Sequence, residues 1–404
     1  MSKPHTITAI DIGTGSVKAI IATPEDSGFR VLGMAENMSS GIRKGVVSDT
    51  EKVSKMIANT IEEASRESDC SVGEVYANIN GGHIFSTSSR GIVSVSRADQ
   101  NISQEDVDRV IEAAKAFSLP SNREILEVVP REFVIDKEGG IKDPLGLKGV
   151  RLESDIVAIS GFARYSKDLK QAILDAGFQV NDLVLGPLAS GRAVLTQEEK
   201  ELGVAVIDIG AATTSLAVFE EGDVLYTCVL PVGMNNLRND IAIGLQVDIE
   251  TAELIKNKFG VSVINEKKAK KEKIKTSEGD DISFQRSELR KIVEARMTEV
   301  FNEINSELKK ISRKANLPAG VVLTGGGANT CGLVDFAKKK MELNCRIGHA
   351  RRFSPLDDDP SFSVLCGLVL YGFEMEEEEG GVIEMRSLRF LWQKIKKIFR
   401  VFIP

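Results

Sequence analysis

The sequence predicts an α/β protein: a duplicated pair of domains around a cleft, followed by a separate basic amphipathic helix. Three observations predict it. The run Asp11-Ile12-Gly13-Thr14-Gly15-Ser16-Val17-Lys18-Ala19-Ile20-Ile21 reads against Asp208-Ile209-Gly210-Ala211-Ala212-Thr213-Thr214-Ser215-Leu216-Ala217-Val218, about half a chain later. Each run follows an apolar stretch (residues 7–10 and 204–207) and leads into another. That is the strand–turn–strand pattern of a hairpin whose tight turn carries an acid and hydroxyls. Two such units half a chain apart predict a duplication with a cleft between the halves. The third observation is an abrupt change of pattern after Glu384, beyond which no acid occurs.

The bulk numbers bound the rest. A chain of 404 residues has room for two or three domains. Its net charge of −7 argues against wholesale nucleic-acid binding, because a phosphate-binding surface needs a basic excess. Cys70, Cys228, Cys331, Cys345 and Cys366 show no metal-ligand or redox spacing, the pattern of free thiols in a reducing compartment. With His5, His83 and His349 as the only histidines, a His-rich metal site or a triad hydrolase is disfavoured. The N-terminus has no basic start with an apolar run after it, and nowhere do about 18 uncharged apolar residues run together. The expectation is a protein kept in the cytoplasm or on the inner face of its membrane.

The acidic, glycine-containing stretch 374–387 reads as a flexible linker, able to reach about 40–50 Å at full extension. Residues 388–404 then read as a helix. Leu388, Leu391, Trp392, Ile395, Ile398, Phe399 and Phe402 fall at steps of three and four, while Lys394, Lys397 and Arg400 lie among the polar positions. Such a segment is too short and too charged to span a bilayer. An apolar stripe opposite a basic face is the pattern of a helix lying among anionic headgroups. A helix packed on the protein's own core and a basic partner-binding helix are the competing readings.

A glycine triplet supplies the next motif. Residues 321–324 form an apolar run ending in Gly325-Gly326-Gly327-Ala328-Asn329, with a helical pattern over 333–341. Glycines there let backbone approach a flat ring or a phosphate closely. Between the second hairpin and the triplet, residues 251–256 read as a helix with Glu253 and Lys256 one turn apart.

Taken in this order, the three glycine-bearing motifs resemble the two phosphate motifs and the adenosine motif of the actin, sugar-kinase and heat-shock-chaperone superfamily. The resemblance implies an actin-like (ribonuclease H-like, duplicated) fold that binds ATP and Mg²⁺. Asp11 and Asp208 would hold the Mg²⁺. Gly13, Thr14, Gly15, Ser16, Gly210, Thr213 and Thr214 would cradle the phosphates, with Lys18 as a point charge on them. Glu253 and Lys256 would touch ribose and base, and Gly325, Gly326, Gly327 and Asn329 would form the adenosine loop.

The middle of the chain narrows the choice. Ser103, with Asp106 three residues on, opens a helical run over 104–117. Strand-like pieces follow at 126–135 and 156–160, and between them lies the Gly/Pro loop Gly140-Ile141-Lys142-Asp143-Pro144-Leu145-Gly146-Leu147-Lys148-Gly149-Val150-Arg151-Leu152-Glu153. This loop resembles the signature of the extra subdomain of the FtsA family, bacterial actin homologues of cell division. Further matching stretches are 231–233, 239–245, 294–301, 345–348 and 367–372. The resemblance implies a first actin-like domain over 1–82 plus 163–200 and an inserted α+β subdomain over 83–162. A second actin-like domain covers 201–373, with 228–318 as its outer subdomain and a final helix, about 360–373, packing back on the first.

By the same resemblance the chain polymerises and anchors the ring of FtsZ, the tubulin homologue, to the cytoplasmic side of the membrane at the division site. Its partners are FtsZ, further copies of itself, other division proteins and an anionic lipid surface, with no nucleic acid. The second hairpin departs from the family's usual Asp-Ile-Gly-Gly-Gly-Thr-Thr-Asp at Ala211, Ala212 and Ser215. Nucleotide binding with weak or absent hydrolysis is the expectation, and no catalytic residue is assigned. A pilus-assembly actin-like ATP-binding protein is the alternative, then a small-molecule kinase of the same superfamily.

Overall fold

The computed structural model describes residues 5–26, 28–265, 271–276, 281–311 and 317–379. The chain opens with a three-stranded meander, β1 (Ile7–Ile12), β2 (Ser16–Glu25) and β3 (Gly28–Met38). The small ladder of β4 (Ile42–Arg43) and β5 (Val46–Val47) precedes helix α1 (Thr50–Ser68) and strand β6 (Glu74–Ile79). Asp49 starts α1 by accepting from the Lys52 amide, which satisfies one of the donors a helix leaves open at its first turn.

Five elements then leave the first sheet: β7 (Phe85–Ser94), α2 (Gln104–Lys115), β8 (Arg123–Ile135), β9 (Glu138–Ile141) and β10 (Arg151–Phe162). The chain returns through α3 (Ala163–Asp175), β11 (Gln179–Leu185), α4 (Gly186–Val194) and α5 (Gln197–Leu202). The second half holds β12 (Val204–Ile209), β13 (Thr214–Glu220), β14 (Asp223–Leu230), α6 (Met234–Leu245) and α7 (Ile249–Phe259). After these come the hairpin β15 (Lys271–Lys275) and β16 (Asp281–Gln285), α8 (Arg286–Lys310), β17 (Val321–Thr324), α9 (Leu333–Met341), β18 (Cys345–Ile347) and α10 (Ser363–Glu379).

The two halves share one topology. The first sheet has the order β11-β6-β1-β2-β3, and the second begins β18-β17-β12-β13-β14. In both, the two flanking strands run parallel to the central one while the meander is antiparallel. The second sheet continues from β14 into β7-β10-β8-β9, joined through the pair Cys228 and Phe85. The central strands are apolar on both faces because helices cover both.

Inside the insert, α2 packs its Val107, Val110, Ile111 and Ala114 against Phe133, Leu152 and Ile156 of the sheet. A complete capping box fixes its start. Ser103 accepts from the Asp106 amide, and the Asp106 carboxylate accepts from the Ser103 amide and hydroxyl.

Helices α4 and α10 join the halves. Their Ala189, Val194, Leu365, Leu368 and Val369 share one core with Ile7 and Ala9 of the first sheet and Val206 and Ala217 of the second. Gly367 is the contact point. Any Cβ there would overlap the Ala189 carbonyl, so only glycine allows this close helix–helix approach.

The structure corrects the end of this helix. The sequence pattern closes it at Phe373 and starts a flexible linker at Glu374, whereas α10 runs on through Glu379. Partners remote in sequence hold the extra turns. Glu374 lies 3.5 Å from Arg192, and Glu376 lies 3.0 Å from His5 and accepts from the Tyr76 hydroxyl. Glu374 and the four consecutive glutamates 376–379 look like a solvated linker until those partners are in view. The expected amphipathic helix 388–404, with Leu388, Leu391, Trp392, Lys394, Ile395, Lys397, Ile398, Phe399, Arg400 and Phe402, lies outside the described residues.

Candidate nucleotide site

Both glycine turns close in the same way. The Gly13 amide donates to the Ser16 carbonyl at 3.1 Å, and the Gly210 amide to the Thr213 carbonyl at 2.8 Å. Strand register sets Asp11 opposite Lys18 and Asp208 opposite Ser215, so each acid stands at the mouth of its hairpin. The turns touch across the cleft: a Cβ on Gly15 would lie 2.9 Å from the Ala211 methyl. Thr14 accepts from the Gly45 amide, which ties the first turn to the loop before α1.

Asp208 is buried and Asp11 half-buried, both with carboxyl groups shielded from water, and their electrostatics follow from that. Burial pushes the Asp11 carboxyl up to about 6, with Lys18 pulling it down, Glu36 pushing it up and the Asn78 amide, 2.6 Å away, lowering it. Burial pushes Asp208 to about 7, the Asp11 charge adds to this, and Lys18 opposes it. The two acids therefore titrate as a coupled pair, each above the usual carboxylate range. Among the described residues Asp208 accepts no hydrogen bond.

Gly325 explains how Asp208 fits. It follows β17, which runs parallel to β12 with Thr324 opposite Asp208, and its φ is 79°. A Cβ at Gly325 would overlap Oδ1 of Asp208. Gly327 is equally confined, by Ile209, whereas a Cβ on Gly326 would meet nothing nearer than Ser361 at 3.8 Å. Gly326 is thus the open face of the loop. Asn329 donates to Asp359 at 3.0 Å, and just after α7 the Val261 amide donates to the Cys331 carbonyl, two residues beyond Asn329. On α7, Glu253 and Lys256 pair at 2.7 Å, and Oε2 of Glu253 is buried without a hydrogen-bond partner.

Lys18 is buried and already engaged. Its ammonium donates to the carbonyl and hydroxyl of Ser361, at 3.0 and 2.8 Å, and lies 4.1 Å from the centre of the Phe362 ring. Glu36 stands 3.7 Å away. Ser361 takes two of its three N–H groups, and Glu36 and the Phe362 ring face the rest of the ammonium. Thr214 belongs to the fold more than to the cradle, since its hydroxyl donates to the buried Val232 carbonyl. Amides at the start of α6 serve the second turn itself: Met234 donates to Gly210 and Asn235 to Ala211. Ser215, where the family's usual pattern has an acid, donates to Asn80 at 3.2 Å across the domain boundary.

Sequence reasoning missed Asn78, Glu36, Asn80 and Ser361. Asn78 had a signal, because Asn78-Ile79-Asn80-Gly81-Gly82 ends a strand with two polar side chains just before a turn. Ser361 had none, being 343 residues from Lys18.

The chain was compared with known proteins. Residues 81–160 match the model of the SHS2 domain inserted in FtsA, and residues 205–367 match that of the cell division protein FtsA. Over 378 residues the chain is 33% identical to the cell division protein FtsA of Pseudomonas aeruginosa, covering 92% of this chain and 90% of that protein. This chain belongs to the FtsA family. The FtsA proteins of Neisseria meningitidis and Escherichia coli K12 are 34% and 32% identical, over 94% and 97% of this chain and 94% and 96% of their own.

Solved structures give the fold. The PilM–PilN type IV pilus biogenesis complex aligns with a TM-score of 0.67 at 17% identity, over 92% of this chain and 99% of that one. MreB5 of Spiroplasma citri, bound to ADP, aligns with 0.57 at 14% identity, over 93% and 99%. The FtsA-family chain is therefore an actin-like α/β protein with an SHS2 insert.

Proposed function

We propose that this chain binds Mg²⁺-ATP, assembles with copies of itself and anchors the FtsZ ring to the cytoplasmic face of the membrane. The carrying observation is the pair of desolvated carboxylates, half-buried Asp11 and buried Asp208, the second with no side-chain hydrogen bond among the described residues. Two such acids raise each other's cost of ionisation, and a divalent cation between them removes it. No group of three or more His, Cys, Asp or Glu side chains suited to a metal occurs among the described residues, so the remaining ligands would be water and phosphate oxygens. That set suits Mg²⁺, which dehydrates reluctantly and takes one or two carboxylates.

In this reading Asp11 and Asp208 hold the ion, which supplies charge neutralisation to the phosphates. Amides and hydroxyls of Gly13, Thr14, Gly15, Ser16, Gly210 and Thr213 face the phosphates, with Lys18 as a point charge on them. Gly325, Gly326, Gly327 and Asn329 receive the adenosine, flanked by Glu253 and Lys256. ADP in the structurally similar MreB5 supports the assignment. Ser215, held by Asn80, offers no carboxylate at its position, so binding and assembly rather than turnover are the proposed activity.

Attachment falls to the basic amphipathic segment 388–404, with FtsZ meeting the outer subdomain within 228–318. No helix among the described residues is long and apolar enough to cross a membrane. Many weak tails on one polymer bind a surface far more tightly than one tail does. Co-sedimentation with anionic liposomes, with and without ATP and with electron microscopy for filaments, tests the reading. Full chain is expected in the pellet and chain lacking residues 387–404 in the supernatant; retention of the truncated chain overturns the anchoring role.

A further inference from the structure

Outside the cleft, Arg346, Ile347, His349, Ala350, Arg351 and Arg352 line an open cavity of about 340 Å³ after β18. We propose that this loop is a second membrane contact, binding phosphate-bearing headgroups of an anionic surface beside the point where the chain leaves for its basic C-terminal segment. The proposal rests on the membrane reading of that segment for the side on which the surface lies.

The cavity is built from both fixed and free charge. Arg346 is fixed: it grips Glu199 with bonds of 2.7 to 2.9 Å and donates to the carbonyls of Val194 and Ile347. Glu199 is thereby neutralised. Arg351 and Arg352 are exposed, and neither makes an ion pair among the described residues; the Glu198 carboxyl nearby is lowered by its own amide and the Thr196 hydroxyl, with the Arg351 charge adding to them. Nδ1 of His349 is buried in the same loop with no hydrogen-bond partner, so a polar group arriving there satisfies an atom that is otherwise orphaned. Guanidinium pairs suit phosphate because their N–H groups match its oxygens in pairs.

Position decides between a soluble anion and a surface. Two independent bridges tie this loop to the end of α10. On one side the Phe29 amide donates to the Arg352 carbonyl at 2.8 Å, and the Phe29 ring stacks on Phe353 and meets Phe373 of α10 edge-on. On the other, the last turn of α4 carries both Arg192, paired with Glu374 of α10, and Val194, whose carbonyl holds Arg346. The loop of the free arginines is therefore tied to the turn of α10 that carries Phe373 and Glu374, about one and a half turns before the helix ends at Glu379. Glu374 and Glu376 in that turn already have Arg192, His5 and Tyr76 as partners. Attachment of a basic amphipathic segment scales with its apolar area and with electrostatic attraction to anionic lipid, so a second basic contact on the same side strengthens it.

The test is flotation of full-length protein with phosphatidylglycerol vesicles and with phosphatidylcholine vesicles. Each basic side chain near an anionic leaflet adds roughly fivefold to affinity, so R351Q/R352Q is expected to bind phosphatidylglycerol roughly 20-fold more weakly, with a shallower salt dependence. R164Q/K167Q, which removes equal charge from exposed positions on α3, is expected to bind like the native chain. Equal losses in both variants, or no loss in R351Q/R352Q, overturn the proposal. Competition by inorganic phosphate at matched ionic strength would make the occupant a soluble anion and overturn it as well. So would tighter vesicle binding by R351Q/R352Q, the result expected if Glu384, the one acid after α10, occupies the cavity. Chain truncated after residue 379 separates the two readings. If it binds vesicles like the native chain, the tail reading fails, and the arginine pair still stands or falls on its own variant.

Discussion

Replacing Asp208 with asparagine should stabilise the metal-free protein at alkaline pH and leave it nearly unchanged at pH 4. Burial and the Asp11 charge lift the Asp208 carboxyl from 3.8 to about 7 in the folded chain. The folded state thus holds this proton more tightly than the unfolded state does. Its contribution is fully present below pH 4 and is lost as pH rises through 7. A gap of about three units at about 1.4 kcal/mol each makes the loss about 4 kcal/mol at pH 8. Asparagine keeps the shape and carries no charge, so the variant escapes that loss. For 404 residues the difference corresponds to a rise of about 5 °C in Tm. Thermal melts of both proteins in a chelator at pH 4, 6 and 8 measure it. Adding Mg²⁺ and ATP at pH 8 should reverse the order, because the native chain gains a ligand that the variant holds poorly. A variant no more stable than the native chain at pH 8 without metal would refute the argument from buried charge.

Three further outcomes follow from single contacts. Gly325→Ala places a methyl on Asp208 at a positive φ, and it should cost about 2–4 kcal/mol in melts and abolish binding of a fluorescent ATP analogue. Gly367→Val forces α10 off the Ala189 carbonyl; expected are a loss above about 3 kcal/mol and faster hydrogen exchange along α10, with the insert unaffected. Burial pushes the Asp106 carboxyl up, but the hydroxyls and amides of Ser103 and Ser96 more than offset it and hold it far below the usual carboxylate range. Its stabilisation is present above pH 4 and lost as pH falls further. Asp106→Ala should therefore destabilise the insert by about 2–3 kcal/mol at neutral pH, read by hydrogen exchange of α2, and by much less near pH 2.

What was legible in the sequence was local. The two glycine turns follow from a few adjacent residues, and their hydrogen bonds match in the structure. The Ser103 capping box is likewise a three-residue spacing, and it formed as its residue types predict. What was not legible depends on partners far apart in the chain. Lys18 looked like a free charge waiting for phosphate, whereas Ser361 holds it. Glu374 and Glu376 looked like linker, and Arg192, His5 and Tyr76 make them helix. Thr214 has the residue type of a phosphate cradle, but strand alternation turned its hydroxyl toward Val232. Side-chain type and spacing name candidates, and only packing assigns each its neighbour.

The packing of α10 has a consequence for how the protein is made. The last described helix covers the first strand: Leu365, Leu368 and Val369 share a core with Ile7 and Ala9. A ribosome releases β1 hundreds of residues before α10, so the part of the N-terminal sheet's apolar face that α10 covers, beside α4, stays bare through nearly all of translation. The first domain cannot finish folding until the chain is almost complete, and Lys18 cannot take its place before Ser361 arrives. A nascent chain stalled short of residue 363 would carry both glycine turns and still lack a finished cleft, leaving it to chaperones until the end is synthesised.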